Sequence, residues 1–141
     1  MLYLSQEELI MKEIYVVAAI IENDNKILCM QRDVGKYEYV SLKWEFPGGK
    51  IEAGETKEVA LKRELQEEME LEVDIVKHFC DIRHVYPDFI LNMYCYKCTT
   101  NDLEFKLNVH KDFKWLKNEE LESLDWAPAD LPIVKKLMEE K

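Results

Sequence analysis

The sequence predicts an α/β sandwich, in which two substantial helices cover a β-sheet. Two observations favour this fold class: β-rich runs precede and follow an amphipathic helix in the middle of the chain, and a second helix closes it. Strands interspersed with helices in this way form a sheet with helices packed on it. The 141 residues show no internal repeat, so we predict a single domain over residues 1–141.

The N-terminal part predicts a β-hairpin. Residues 14–22 and 26–31 are β-rich, and the turn formers Asn23, Asp24 and Asn25 join them. Residues 33–42 are a polar stretch that predicts a loop leading to Trp44. We interpret residues 1–11 as an N-terminal extension, either an added helical cap or the product of an upstream start.

The central helix has an apolar face and a capping signal. Leu61, Leu65 and Met69 recur every four residues, which places them on one face that can pack on a sheet. Thr56 is a suitable N-terminal cap, and Gly54 allows a tight turn before it. One side of this helix is therefore predicted to be buried.

Carboxylates crowd the other side of the same helix. Glu64, Glu67 and Glu68 are three or four residues apart, so they project from one face within about a turn of each other. Like charges at this spacing repel, and an ordinary surface helix interleaves lysines. Two interpretations are open: a solvated acidic surface, or a site for a divalent cation. Ligands that are all oxygen fit Mg²⁺ or Mn²⁺ better than zinc.

The C-terminal half predicts three further strands and the closing helix. Residues 74–86 and 89–99 read as strands separated at Pro87 and Asp88, and residues 113–116 as a short strand. Residues 131–140 predict a helix with Pro132 in its first turn, where proline is tolerated.

Charge and hydropathy narrow the classes of partner. The net charge of -10 disfavours a basic face that binds nucleic acid. No apolar run approaches the roughly 18 residues of a membrane span, and the N-terminus lacks a secretion signal. We therefore expect no nucleic-acid partner and no membrane partner.

The four cysteines do not form a disulfide framework. Cys95 and Cys98 make a C-x-x-C pair, but the segment reads as a strand, in which residues three apart face opposite sides. No second cysteine pair or nearby histidine pair completes a zinc site. We interpret all four as buried structural thiols, and we expect a reduced, cytoplasmic setting.

The residues around the central helix resemble a known family signature. Gly49, Glu55 and the run Arg63-Glu64-Leu65-Gln66-Glu67-Glu68, followed by Leu71, match the Nudix hydrolase signature in spacing. The preceding WEFPGGK, residues 44–50, is similar to the MutT branch of that family. The resemblance implies a Nudix-type α/β/α sandwich with a mixed β-sheet and a catalytic loop–helix–loop.

The resemblance also implies roles for particular residues. Glu64, Glu67 and Glu68 would bind catalytic Mg²⁺, for which Mn²⁺ can substitute, with help from the Gly48 carbonyl. Arg63 would orient a glutamate, or form only a surface pair with Glu67. Glu55 would support the loop–helix structure. The substrate-binding candidates are Arg32, Lys50 and Asp130.

Two positions depart from the family pattern. Glu70 stands where the family has a glycine that suits a left-handed helix cap, which predicts a local cost of roughly 1 kcal/mol. Val109 stands where a later loop often supplies a catalytic glutamate. Asp112 or Glu104 could substitute, a signature glutamate could activate the water, or His110 could act as the base.

The activity that the resemblance implies is Mg²⁺-dependent hydrolysis of nucleoside triphosphates to a monophosphate and pyrophosphate. Oxidised or surplus nucleotides, such as 8-oxo-dGTP or cytidine nucleotides, are the expected substrates. An ionised Asp130 would accept hydrogen bonds from the base, or the residue would only shape a turn. Tyr86 and Trp126 could stack on a base, although core packing is the default for both.

Two alternatives to this activity stay open. One is hydrolysis of ADP-ribose or a dinucleoside polyphosphate, and the other is a catalytically silent nucleotide-binding module, which Val109 alone supports. We expect a monomer or a homodimer.

Overall fold

The computed structural model describes residues 11–140 as a seven-stranded mixed sheet with a helix on each face. The strands are β1 (Glu13–Asn23), β2 (Lys26–Arg32), β3 (Trp44–Glu45), β4 (Gly48–Lys50), β5 (Asp74–Val85), β6 (Ile90–Thr99) and β7 (His110–Leu116). The helices are α1 (Lys57–Met69) and α2 (Leu131–Glu139), with 3₁₀ helices at Asn118–Ser123 and Pro128–Asp130. Residues 1–10 of the predicted N-terminal extension lie outside the described residues.

Strand β1 is the centre of the sheet. It pairs in parallel with β6 along nearly its whole length, and antiparallel with β4 and with the start of β2. The main path of strands is β3-β2-β1-β6-β5, and β7 adds to β2. The combination of parallel and antiparallel pairs confirms the predicted mixed sheet.

The two faces of the sheet carry separate cores, each closed by one helix. On β1, Ala18 and Ile20 join the cluster that contains α2, whereas Val17, Ala19 and Ile21 join the cluster that contains α1. This alternation follows from the two-residue period of a strand. Because each helix buries its apolar face against a different side, the predicted sandwich is confirmed.

The predicted β-hairpin is confirmed as well. Asn23 pairs with Lys26, so Asp24 and Asn25 form a two-residue turn. Their φ angles are 51° and 60°. Asn and Asp tolerate this left-handed region better than most residues, and two-residue hairpin turns favour it.

Both ends of α1 agree with the sequence. The Thr56 hydroxyl accepts a hydrogen bond from the Val59 N–H and caps the first turn. At the other end Glu70 adopts the left-handed conformation, with φ 53° and ψ 43°. A glutamate therefore occupies the helix-cap geometry that glycine adopts without strain.

The last strand is longer than predicted. We expected residues 113–116, but β7 begins at His110, which pairs with Arg32 on β2. The strand propensity of His110, Lys111 and Asp112 is weak, so the extension depends on pairing with β2 rather than on local sequence. The closing helix has Pro132 near its start, as predicted. Across residues 11–140, no helix is both long enough and apolar enough to cross a bilayer.

The cysteines lie mainly in the two cores. Cys95 and Cys98 belong to the cores on opposite faces, as the strand period predicted. Cys29, Cys95 and Cys98 are buried, but Cys80 is only half-buried. The prediction of four buried thiols is therefore wrong for Cys80, because it lies on β5 at the edge of the main strand path, where packing covers it less.

Candidate active site

A cavity of about 400 Å³ opens on the side of the sheet that faces α2. Five of the residues predicted to bind metal or substrate line it: Arg32, Gly48, Lys50, Glu68 and Asp130. These residues come from β2, β4, α1 and the second 3₁₀ helix, so the fold brings together positions that are far apart in sequence. The other predicted site residues, Arg63, Glu64 and Glu67, do not line it.

A second cavity, of about 860 Å³, lies at the far end of α1. Residues 70–74 and 99–102 form most of its wall. Arg63 borders it, but none of Glu64, Glu67 and Glu68 does. The smaller cavity is therefore the candidate active site.

Two glycines allow the loop before α1 to lie close to its neighbours. A Cβ atom on Gly48 would lie 1.9 Å from the carbonyl oxygen of Val17, and one on Gly49 would lie 2.2 Å from Oε2 of Glu64. The backbone contact excludes a side chain at Gly48, and a side chain at Gly49 would displace the Glu64 carboxylate. The Glu64 carboxylate thus packs directly on the backbone of the loop that carries the Gly48 carbonyl.

Arg63 holds the acidic residues of the loop and of α1 in place. Its Nε and Nη2 donate to the two carboxylate oxygens of Glu55, at 2.6 and 2.9 Å. Its Nη1 donates to Glu64 at 3.0 Å and to Glu67 at 3.1 Å, and its Nη2 also reaches the Lys50 carbonyl at 2.9 Å. The Arg63 guanidinium is the largest cause that lowers the pKa of Glu55. Arg63 therefore makes both the contact with a signature glutamate and the surface pair with Glu67, and its role in catalysis stays a prediction.

Glu68 is the most electrostatically perturbed of the three helix carboxylates. Its side chain is 16% exposed, and no hydrogen-bond partner for its Oε2 atom is found among the described residues. Burial, followed by the charges of Glu45 and Glu64, raises the pKa of Glu68 to about 8. A buried oxygen without a partner, surrounded by like charges, is favourable only when a proton or a cation neutralises it.

The donor set fits a hard divalent cation. Glu64, Glu67 and Glu68 supply only oxygen, and Glu68 keeps an unpaired one. Among residues 11–140, no three carboxylate, imidazole or thiolate groups already surround one metal-sized point. The residues that would hold the ion are Glu64, Glu67 and Glu68, with the Gly48 carbonyl beside them.

Glu45 links the substrate side of the cavity to Glu68. Its Oε1 accepts from Arg32 Nη1 at 3.0 Å, and its Oε2 accepts from His110 Nε2 at 3.0 Å. The Nδ1 atom of His110 lies 3.9 Å from Oε2 of Glu68 and has no hydrogen-bond partner among the described residues. Sequence reasoning missed Glu45, although it lies inside the WEFPGGK segment.

His110 is not the exposed loop histidine that its sequence context suggests. Its side chain is 3% exposed and lies at the start of β7. Val109, which stands where a loop carboxylate was expected, is 54% exposed. Of the residues that could substitute for it, Asp112 is exposed and accepts a hydrogen bond from the N–H of Phe113. Glu104 is exposed as well.

Asp130 also lines the cavity. It is buried, and its Oδ1 accepts a hydrogen bond from the Phe46 N–H at 3.1 Å. Burial, and then the charge of Glu45, raises the pKa of Asp130 well above its usual range. Because no second hydrogen bond to this carboxyl group is found within residues 11–140, its other oxygen can serve a ligand.

Aromatic side chains form one wall of the cavity. Tyr37, Tyr86 and Phe89 line it, and their rings lie against one another or against Tyr39. Tyr86 also accepts a hydrogen bond from the Ala129 N–H at 3.0 Å, next to Asp130. Trp126 does not line the cavity; it stacks on Phe46 in the core, as its default interpretation predicted.

Comparison with known proteins matches the part of the chain that contains the candidate active site. A family model for the NUDIX domain matches residues 16–136. The CTP pyrophosphohydrolase of Escherichia coli strain K12 is 34% identical over 128 residues, covering 91% of this chain and 93% of that protein. The 8-oxo-dGTP diphosphatase of the same organism is 31% identical over 127 residues, covering 90% and 98%.

Solved structures agree with this fold. The solution structure of a MutT protein, of the Nudix hydrolase family, from methicillin-resistant Staphylococcus aureus 252 is 43% identical and has a TM-score of 0.73. The alignment covers 94% of this chain and all of that one, at 100%. A MutT crystal structure from Methanosarcina mazei Go1 has a TM-score of 0.81 at 18% identity, covering 93% and 96%, and shows likeness of fold alone.

Proposed function

Because the chain belongs to the Nudix family of hydrolases, we propose that it is a Mg²⁺-dependent enzyme that cleaves nucleoside triphosphates to a monophosphate and pyrophosphate. The family and the relatives identify a MutT-like Nudix nucleotide pyrophosphohydrolase. The proposal adds a triphosphate as the substrate and a particular base.

One observation carries the proposal: a single cavity is lined both by a carboxylate suited to metal, Glu68, and by a buried polar group suited to a base, Asp130. Arg32 and Lys50 line the same cavity. A nucleotide bound here would place its phosphates near α1 and its base near Asp130. The cationic Arg32 and Lys50 are suited to the phosphate oxygens.

The site would act in two ways: it would position the reacting groups, and it would stabilise the charge on the phosphates. When bound, Mg²⁺ neutralises charge on the phosphates and activates water. Arg63 holds Glu64 and Glu67 in orientation, which removes reorganisation from the reaction. Glu68 supplies the oxygen that lacks a protein partner.

We assign proton removal from the attacking water to a glutamate of α1. Val109 carries no base, and Asp112 and Glu104 lie on the exposed surface. His110 donates its Nε2 proton to Glu45 and is shielded from solvent. The helix carboxylates are therefore the groups best placed to act on a water near bound phosphate.

Asp130 and the backbone of Phe46 are the proposed base readers. The raised pKa of Asp130 makes a neutral carboxyl accessible, which can both donate and accept a hydrogen bond. This extends the expectation of an ionised acceptor and suits either a cytosine or an oxidised guanine. The two relatives, a CTP pyrophosphohydrolase and an 8-oxo-dGTP diphosphatase, support the same two bases.

The oligomeric state and the compartment stay predictions: a monomer or a homodimer acting in the cytoplasm. Size-exclusion chromatography with light scattering tests the first, and localisation of the tagged protein in cells tests the second.

The decisive experiment measures products from a nucleotide panel with and without Mg²⁺. The panel contains CTP, dCTP, dGTP, 8-oxo-dGTP, ADP-ribose and diadenosine tetraphosphate, and chromatography identifies the products. Monophosphate plus pyrophosphate from a triphosphate supports the proposal. Turnover of ADP-ribose or the dinucleotide alone would replace it with the other hydrolase activity. Thermal stabilisation by one nucleotide without turnover would favour the silent binding module.

A further inference from the structure

Cys80 and Cys95 are cross-strand neighbours on the antiparallel strands β5 and β6. Residues directly opposite in such a pair have Cα atoms about 4.5 or 5.5 Å apart, depending on the hydrogen-bond pattern. Both separations fall within the range of about 4.4–6.8 Å that a disulfide spans. The register therefore makes the two residues direct cross-strand partners, an arrangement whose usual spacing a disulfide can bridge.

A β-bulge sets this pairing. His78 lies opposite Tyr96, but the next pair is Cys80 with Cys95, so Phe79 is an additional residue on β5. Without the bulge, Phe79 would stand opposite Cys95. Bulges of this kind re-aim side chains. As a result, both cysteines belong to the core on the α2 side, Cys95 inside it and Cys80 packed against it.

Lys136 on α2 places a positive charge beside the bulge. Its Nζ donates to the carbonyl of Phe79 at 2.7 Å. The charged and titratable groups that face Cys80 are Lys136, His78 and Asp81, together with the Cys95 thiol. The hydrogen bond with Cys95, and then the Lys136 ammonium and His78, lowers the pKa of the Cys80 thiol to about 7 against the effects of burial and Asp81.

The other three thiols lack this combination of access and charge. Burial raises the pKa of Cys29 and of Cys98 to about 12. The hydrogen bond with Cys80, together with burial, raises the pKa of Cys95. Thiolates are the reactive form, so Cys80 is the nucleophile and Cys95 is its protonated neighbour.

We propose that Cys80 and Cys95 form a dithiol that reacts with hydrogen peroxide and closes to a disulfide. The Cys80 thiolate attacks one peroxide oxygen, the O–O bond breaks and hydroxide leaves, which gives a sulfenic acid on Cys80. The Cys95 thiol then attacks the Cys80 sulfur. The S–S bond forms, the S–O bond breaks, and the hydroxyl group leaves with the Cys95 proton as water. Peroxide gains the two electrons that the dithiol loses.

The pair lies directly behind the candidate active site. Cys95 follows Met93 by two residues on β6, and Met93 lines the cavity. The charge of Asp130 is among the groups that act on Cys95. Oxidation at this position would thus report on oxidant next to the proposed base pocket, although the chemistry of the dithiol does not depend on the proposed function.

Peptide mapping of the wild-type chain tests the proposal directly. Trypsin places the four cysteines in four different peptides, residues 27–32, 78–83, 84–97 and 98–106. The reduced protein is freed of reductant, exposed to hydrogen peroxide, alkylated and digested. We expect a cross-link between peptides 78–83 and 84–97 that a thiol reductant reverses. Alkylation of all four thiols after peroxide, a cross-link through another peptide, or over-oxidation of Cys80 without a cross-link would overturn it.

Single variants separate the two roles. In Cys95→Ala, the sulfenic acid on Cys80 should persist and be captured by dimedone, whereas Cys80→Ser should leave Cys95 unmodified. Cys98→Ser is the matched control, because Cys98 lies on the same strand and faces the other core, and it should form the cross-link normally. Dimedone capture on Cys95 in Cys80→Ser would reverse the assignment. If Cys95→Ala fails to fold, the wild-type map and Cys80→Ser still decide.

The contribution of Lys136 has its own readout. We expect Lys136→Gln to slow oxidation several-fold and to raise the pH midpoint for alkylation of Cys80 by iodoacetamide. Lys136→Arg should keep the oxidation rate and the pH midpoint near their wild-type values, since it retains the charge. Lys135→Gln, on the exposed side of α2, is the control. An unchanged midpoint in Lys136→Gln would contradict this role.

Discussion

His110 and Glu45 are joined by a 3.0 Å hydrogen bond from Nε2 to Oε2, across 65 residues of sequence. Glu45 uses its other oxygen to hold Arg32 at 3.0 Å. The same carboxylate therefore orients a cation that lines the cavity and a histidine that lies beside Glu68. This arrangement makes Glu45 a positioning residue for the proposed reaction.

Replacing Glu45 with glutamine should weaken substrate binding more than turnover. The neutral amide cannot form the ion pair with Arg32 that the Glu45 carboxylate forms. We therefore expect KM for the preferred triphosphate to rise about tenfold, equivalent to about 1.4 kcal/mol of binding free energy, with a smaller change in kcat. Steady-state kinetics measures the two separately. Lys43→Gln is the control, because it breaks the exposed ion pair with Asp125. A fall in kcat at constant KM would assign Glu45 to the chemical step instead.

Glu68→Gln should abolish activity and the response to metal together. We expect kcat to fall at least about a hundredfold, because an amide cannot replace the anionic oxygen next to the phosphates. Mg²⁺ should raise the Tm of the wild-type protein and leave the Tm of the variant unchanged. Glu72→Gln, an exposed position just beyond α1, should behave as wild type in both measurements. Mg²⁺ stabilisation that survives in Glu68→Gln would exclude Glu68 as a ligand.

The metal-free protein should lose stability as the pH rises. The pKa of Glu68 is about 8 in the folded chain and 4.5 as a reference for the unfolded chain, so between these values the folded state binds the additional proton. The free energy of unfolding therefore falls with rising pH across that interval, by a few kcal/mol in total.

Urea unfolding at pH 6 and pH 9 in the presence of a chelator measures this difference. Glu68→Gln has no proton to lose at this position, so its two values should lie closer together than those of the wild type. Equal pH dependence in the two proteins would contradict the assignment of this effect to Glu68.

Arg63→Lys tests whether the geometry of the guanidinium matters beyond its charge. A lysine cannot make the paired contacts with Glu55 and also reach Glu64 and Glu67. We expect a loss of about 2 kcal/mol in the free energy of unfolding and a fall in kcat, since α1 loses the contact that orders its carboxylates. Lys62→Gln, the exposed neighbour on the same helix, is the control. Full stability and activity in Arg63→Lys would show that charge alone is enough.

Interactions between residues that are close in sequence predict much of the fold and part of the site. The hairpin at Asp24 and Asn25 and the cap at Thr56 depend on residues within one turn of each other, so their sequence signals are complete. The spacing of Glu64, Glu67 and Glu68 likewise fixes their common face. The hairpin and the cap appear in the structure where the sequence predicts them.

The contacts that were not predicted all join distant segments. Glu45 meets His110 only because β3 and β7 both pair with β2. Cys80 meets Cys95 only because a bulge adds one residue to β5. Neither the choice of strand partner nor the bulge has a local sequence signal. The hydrophobic period and the strand propensity therefore cannot indicate which side chains come into contact.

Glu70→Gly should stabilise the protein. Glu70 ends α1 at φ 53°, a conformation that a side chain disfavours and glycine adopts freely. The substitution also removes an exposed ion pair with Lys106 at 3.5 Å, which contributes little. We therefore expect a net gain of about 0.5–1 kcal/mol, measured by urea unfolding at constant m-value. Glu70→Ala separates the two effects, because it loses the ion pair and keeps the Cβ atom. A gain in Glu70→Ala equal to that in Glu70→Gly would place the cost in charge repulsion along α1 rather than in the backbone.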